Sequence, residues 1–121
     1  MAAEKTALSG GTTMLILKLL EKEDMYGYQI IEELSLKSNE IFRLKTGTLY
    51  PILHGLEKDG MIISYDQNAD NRRVRKYYKL TDKGKKFLAK KHSEWEAYSS
   101  AVNNVMTGER ATKEKKRNEL A

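Results

Sequence analysis

The chain has 121 residues, of which 40% are hydrophobic, 8% aromatic and 32% charged, a length that holds one compact domain with a small core. Lysine and arginine number 22 against 17 acidic residues, a formal charge of +5, which favours polyanionic partners. There is no cysteine, so a disulfide framework, a cysteine zinc site and a cysteine nucleophile are all excluded.

The opening segment MAAEKTALSGG lacks the basic region, apolar run and cleavage site of a signal peptide. The first apolar cluster, Met14 to Leu20, is interrupted by Lys18 and too short to span a bilayer. The expectation is a cytoplasmic protein with no membrane partner. Thr12 or Thr13 is placed to cap a first helix through this cluster. The helix is apolar on nearly every side, which calls for cover on more than one face. Asp24 is a candidate N-cap for a second helix over residues 25 to 37, with Ile30, Ile31 and Leu34 at helical spacing. Gly27 in its first turn suggests close backbone approach to a neighbour.

A third helix runs from Thr46 or Thr48 to Lys58, with Leu49, Ile52, Leu53 and Leu56 as its buried stripe. Pro51 suits only a first turn and argues for the start near Thr48, with a kinked start at Thr46 as the alternative. Gly60 suits a left-handed helix end. Met61 to Tyr65 reads as a strand, Asp66 to Asn71 as a turn and Val74 to Leu80 as a second strand, together a hairpin. Thr81-Asp82 caps a long last helix to about Met106, and Thr107-Gly108 breaks it. The tail ERATKEKKRNELA has no apolar stripe and is expected to be disordered.

Three helices, a hairpin and one long helix give a mainly α fold: a winged helix-turn-helix domain over 8–80, a dimerisation helix over 81–106 and a polar tail over 107–121. The charge fits this plan. Residues 68 to 91 hold ten basic and two acidic side chains, a local +8 that leaves −3 for the rest of the chain. The run begins at the hairpin tip, which favours nucleic acid over a merely solvated face for its arginines. For Lys83 to Lys91, on the last helix, a solvated face is the better reading.

Four blocks in order then resemble the PadR family of bacterial transcriptional regulators. They are Tyr26-Gly27-Tyr28-Gln29-Ile30, Gly47-Thr48-Leu49-Tyr50-Pro51-Ile52-Leu53, Leu56-Glu57-Lys58-Asp59-Gly60-Met61-Ile62, and Arg72-Arg73 with Lys76-Tyr77-Tyr78-Lys79-Leu80-Thr81 and Gly84. The short C-terminal part looks like the smaller subfamily, which includes dimeric multidrug-responsive repressors. The resemblance implies a repressor that binds double-stranded DNA as a homodimer on a pseudo-palindrome.

In that plan the third helix enters the major groove, and its side away from the core offers Lys45, Thr46, Thr48, Tyr50 and His54. The resemblance turns Thr48 and Tyr50 toward DNA; packing on the wing or first helix is the alternative for Tyr50. Arg72 and Arg73 can reach phosphates or a minor groove, and Lys76 and Lys79 phosphates. Tyr77 and Tyr78 adjoin in a strand and point to opposite faces.

On the last helix, Leu88, Trp95, Tyr98, Val102, Val105 and Met106 follow near-heptad spacing, a coiled-coil seam that, with the over-apolar first helix, implies a homodimer built from the first and last helices. Trp95 reads either as an interface anchor or as one wall of an effector pocket, and the two are compatible. The multidrug-responsive members stack flat aromatic ligands on a tryptophan at the matching place. The lining this implies here is Thr13, Met14 and Leu17 with Trp95, Tyr98 and Ser99.

His54 and His92 lie on separate helices, with no carboxylate at ligand spacing, and no catalytic constellation stands out. No cofactor, metal or enzymatic activity is expected. The rival reading is a winged-helix interaction module that binds a protein partner or an anionic surface without sequence preference.

Overall fold

The computed structural model describes residues 2–68 and 73–110, with side chains from residue 11 onward. Arg72 and residues 111–121 of the tail lie outside the described residues. The order is α1 (Ala2–Lys22), β1 (Met25–Tyr26), α2 (Gly27–Lys37), α3 (Thr46–Lys58), β2 (Ile62–Asn68), β3 (Val74–Leu80) and α4 (Asp82–Thr107). The strands form one antiparallel sheet in the order β1-β3-β2. This is a winged helix fold with a long C-terminal helix.

One core joins all of it. Ile16, Leu17 and Leu20 of α1 meet Ile30 and Leu34 of α2, Leu49 and Leu53 of α3, Ile62, Tyr78 and Leu80 of the sheet, and Leu88 of α4. Each such aliphatic side chain contributes roughly 1.5–3 kcal/mol by leaving water. Strand alternation sends Ile62, Tyr78 and Leu80 inward and Tyr65, Tyr77 and Arg75 to the outer face of the sheet. Tyr77 and Tyr78 thus face opposite ways, with Tyr78 buried and Tyr77 half-buried.

The structure corrects several sequence expectations. α1 starts at Ala2, not at a cap on Thr12 or Thr13, so Gly10 and Gly11 lie inside it. The residues before the glycines are good helix formers, and the helix runs through at about 1 kcal/mol per glycine. Its apolar side chains Ile16, Leu17, Leu19 and Leu20 are all buried within the chain itself, with no second copy needed to cover them. The sheet has a third strand: Met25 and Tyr26 pair with Tyr78 and Tyr77. A two-residue strand is too short to display alternation, and the free edge of β3 supplies its partner. α2 therefore begins at Gly27, with Tyr26 as an N-cap that makes no side-chain cap bond, and Asp24 caps nothing there.

α3 begins at Thr46, with Lys45 extended before it. Pro51 therefore sits past the first turn, where its missing N–H would have served the Gly47 carbonyl. Residues Lys45 to Thr48 are exposed, so water can serve that carbonyl instead. β2 continues to Asn68 through residues read as a turn. The ladder pairs Asp66 with Lys76, Gln67 with Arg75 and Asn68 with Val74, and these polar and charged pairings override the turn propensity of Asp and Asn. Leu88 belongs to the core and not to the exposed seam of α4. The expected helix ends hold: Gly60 and Gly108 are left-handed, with φ of 76° and 77°.

Candidate nucleic-acid interface

α3 is fixed by its apolar stripe and at its C-terminal end. Lys83 donates to the carbonyl of Asp59 at 2.8 Å, and the Thr81 hydroxyl lies 2.7 Å from the carbonyl of Gly60. The same hydroxyl accepts from the Gly84 N–H at 3.0 Å, the expected cap of α4. The Ser64 hydroxyl donates to the carboxylate of Glu57, tying α3 to β2. With these anchors made, Lys45, Thr46, Thr48 and His54 remain exposed.

Between α3, the start of α2 and β3 lies an open cleft of about 560 Å³. Tyr50, His54, Arg73 and Lys76, four of the residues singled out from sequence, line it together. Lys45, Thr46 and Thr48 do not line it; they occupy the exposed first turn of α3 beside it. Tyr50 is half-buried: its ring closes on the backbone of Gly27, and the His54 ring lies 6.4 Å away. Tyr50 thus packs on α2, and not on the wing or first helix named as its alternative, with the ring still bordering the cleft. Burial, followed by Tyr50 and Glu57 nearby, raises the Tyr78 phenol above its ordinary value, so it stays neutral at the floor of the cleft.

Six further residues line it, Tyr26, Gly27, Tyr28, Val74, Arg75 and Tyr78, none of them a candidate site residue from the sequence. Arg75 belongs to the basic run of residues 68 to 91 without being one of the candidate site residues. Strand parity puts Arg75 on the face of Tyr77, opposite to Lys76, so the sequence signals its place beside the tyrosines but not its place at the rim of the cleft. Its guanidinium lies 4.3 Å from the centre of the Tyr26 ring. Tyr26 meets Tyr77 edge-on at 5.5 Å, and Tyr77 stacks on Tyr65 at 5.8 Å. The Tyr65 hydroxyl donates to Asp24 at 2.6 Å. That bond, aided by desolvation and the negative charge, pushes the Tyr65 phenol up to about 12.

The residues named for an effector are spread more widely. Trp95 and Tyr98 lie on the exposed part of α4, 48% and 58% accessible, with ring centres 5.9 Å apart. Ser99 donates to the Glu96 carbonyl at 3.2 Å. Thr13 lines a different groove, with Pro51, Ile52, Gly55 and Phe87. Met14 is half-buried, and Leu17 is wholly buried in the protomer core. His92, expected without a carboxylate neighbour, meets Glu96 at 3.1 Å, one helical turn away. Among the described residues no three His, Asp or Glu side chains converge as metal ligands, and no helix is long and apolar enough to cross a membrane.

Known proteins are similar to this chain in sequence and in fold. A transcriptional regulator of Mycobacterium tuberculosis is 36% identical over 73 residues, covering 60% of this chain and 64% of its own length. The crystal structure of a PadR family transcription regulator from Clostridium difficile R20291 matches with a TM-score of 0.69 and 38% identity, over 78% of this chain and 97% of the other. A transcriptional regulator from Clostridium thermocellum matches with a TM-score of 0.74 and 34% identity, over 82% and 96%. The model of the transcriptional regulator PadR-like family matches residues 16–90. The chain belongs to the PadR-like family of transcriptional regulators and is a regulator, not an enzyme.

Proposed function

We propose that the chain is a sequence-specific DNA-binding repressor that acts as a homodimer. It comprises a winged helix-turn-helix domain over 8–80, a dimerisation helix over 81–106 and a polar tail over 107–121, although Leu88 ties the start of that helix into the winged core. The observation that carries the reading is the convergence of α3 and the basic β3 on one open cleft. The exposed first turn of α3, with Lys45, Thr46 and Thr48, enters a major groove, and Tyr50 and His54 border it. Arg73 and Lys76 bind phosphates along the wing, and Arg72 extends that charge.

Trp95, Tyr98, Val102, Val105 and Met106 form the seam for the second copy, which sets two recognition helices about one DNA turn apart. A flat aromatic effector against Trp95, Tyr98 and Ser99, with Thr13 and Met14, changes that spacing if it binds the two states unequally. Leu17 supports this wall from inside the core without lining it.

The test is selection of bound duplexes from genomic fragments, followed by anisotropy titration against scrambled duplex. A preference of roughly 10³-fold or more supports a specific regulator. Equal, weak binding to every duplex would favour an interaction module. If saturating aromatic cations leave both the affinity for the selected duplex and Trp95 fluorescence unchanged, the effector part is discarded.

A further inference from the structure

We propose that Arg75 is a phosphate-binding residue of the wing and that the ring of Tyr26 orients its guanidinium for that contact. The proposal rests on the DNA-binding reading above and names a positioning residue within it. Three observations carry it: the Arg75 guanidinium carbon over the Tyr26 ring, the fixation of Tyr26, and a charge without a carboxylate partner among the described residues.

The Arg75 guanidinium, 4.3 Å from the ring centre of Tyr26, is within cation–π range. A guanidinium resting over an aromatic ring still has N–H donors to offer, and their planar fork suits two phosphate oxygens. A lysine at this position would carry the charge without the plane.

Tyr26 is itself held. β1 sets it beside Tyr77, whose ring it meets edge-on at 5.5 Å. Tyr77 stacks on Tyr65 at 5.8 Å, and Tyr65 donates to Asp24, two residues before Tyr26. The row of rings closes on the segment from which it starts, so β1 cannot shift along the sheet without breaking the Tyr65–Asp24 bond.

The cross-strand partner of Arg75 is the neutral Gln67, whereas the neighbouring Lys76 faces Asp66. Among the described residues Arg75 forms no ion pair, in contrast to Arg43, which pairs with Glu40 at 3.2 Å. Arg75 borders the same cleft as Tyr50 and His54, so a phosphate held there flanks the groove that α3 enters.

The experiment titrates the full chain into a fluorescein-labelled duplex of mixed sequence over a series of salt concentrations. R75A is expected to reduce the slope of log affinity against log salt by about 1, the signature of one lost phosphate contact. R75K is expected to keep the slope and lose affinity several-fold. Y26L is expected to weaken binding to the same degree in the unmodified background and not at all in the R75A background, while Y26F, which keeps the ring, matches the unmodified protein. A non-additive pair is a readout that general destabilisation would not produce.

An unchanged slope in R75A overturns the phosphate role. Equal losses from Y26L in both backgrounds overturn the orienting role. If Y26L does not fold, R75K decides, because equal affinities for arginine and lysine at this position overturn orientation by the ring. Absence of salt-dependent duplex binding by the unmodified chain would overturn the DNA-binding reading itself, which separates that failure from the failure of this proposal.

Discussion

The phenol of Tyr50 rests on the α-carbon of Gly27, in space that any side chain at residue 27 would fill. A Cβ there would stand 2.8 Å from the Tyr50 Cζ and closer still to its hydroxyl oxygen. The contact joins α3 to the start of α2, so one glycine sets both the packing of these two helices and the position of a ring bordering the cleft.

G27A is therefore expected to displace the Tyr50 ring into the cleft. Overpacking of this kind costs about 1–3 kcal/mol, and the better helix propensity of alanine offsets up to about 1 kcal/mol of that. The expected net loss is about 1 kcal/mol by urea unfolding, together with weaker duplex binding by anisotropy. G27A/Y50F, which lacks the offending hydroxyl, is expected to recover part of the stability. An additive double mutant would show that the two residues are not coupled.

Gly84 presents a harder case. A Cβ there would run into the backbone carbonyl of Met61 and stand 2.6 Å from the Leu80 Cδ1. Backbone cannot swing aside as the Tyr50 ring can. G84A is expected to lose about 3 kcal/mol or more, because it forces α4 away from the turn that ends α3. T81A removes the hydroxyl that accepts from Gly84 and sits on the Gly60 carbonyl, and is expected to lose about 1–2 kcal/mol. Thermal or urea denaturation of the two variants checks both the losses and their order.

These two glycines mark the difference between what the sequence reveals and what it hides. Close approach at Gly27 is legible, because a glycine in a helical first turn needs a reason. That the approaching group is Tyr50 is not legible, because it depends on how α2 and α3 cross. The same holds for the sheet. The basic run on β3 is visible as composition, but β1 is two residues long and exists only because β3 offers an open edge. Without β1 there is no reason to set Tyr26 beside Arg75, so the arginine over its ring stays hidden. Leu88 continues the spacing of Trp95, Tyr98 and Val102 and falls in the core all the same, since periodicity marks a face of a helix and not what covers it.

The Tyr65–Asp24 bond gives a pH dependence with a definite sign. The Tyr65 phenol is pushed up to about 12 in the folded chain against an ordinary 10, chiefly because it donates its proton in a hydrogen bond to Asp24. A raised pKa favours the protonated form in the folded state. Its stabilising effect is complete below the unfolded value and is lost as pH climbs through the folded one. The difference in urea midpoint between the unmodified chain and Y65F is therefore expected to be constant below about pH 10 and to shrink between about pH 10 and 12. A difference that holds constant across that window would mean that the hydrogen bond does not form in solution.

Leu88 and Val102 lie on the same helix and are expected to fail in different ways. Leu88 is 4% exposed and packs with the core of its own protomer, whereas Val102 is 41% exposed beside Trp95 and Tyr98. L88A leaves a cavity in the protomer and is expected to lower stability by about 2–5 kcal/mol. V102D puts a charge into the seam proposed for the second copy, where burial without a partner is unfavourable. It is expected to raise the dissociation constant of the dimer in sedimentation equilibrium and to make the unfolding midpoint depend more steeply on protein concentration. Duplex affinity should fall with it, because a separated protomer has one recognition helix in place of two linked ones. If V102D leaves the sedimentation of the chain unchanged, the exposed stripe from Trp95 to Met106 is not the contact that joins two copies.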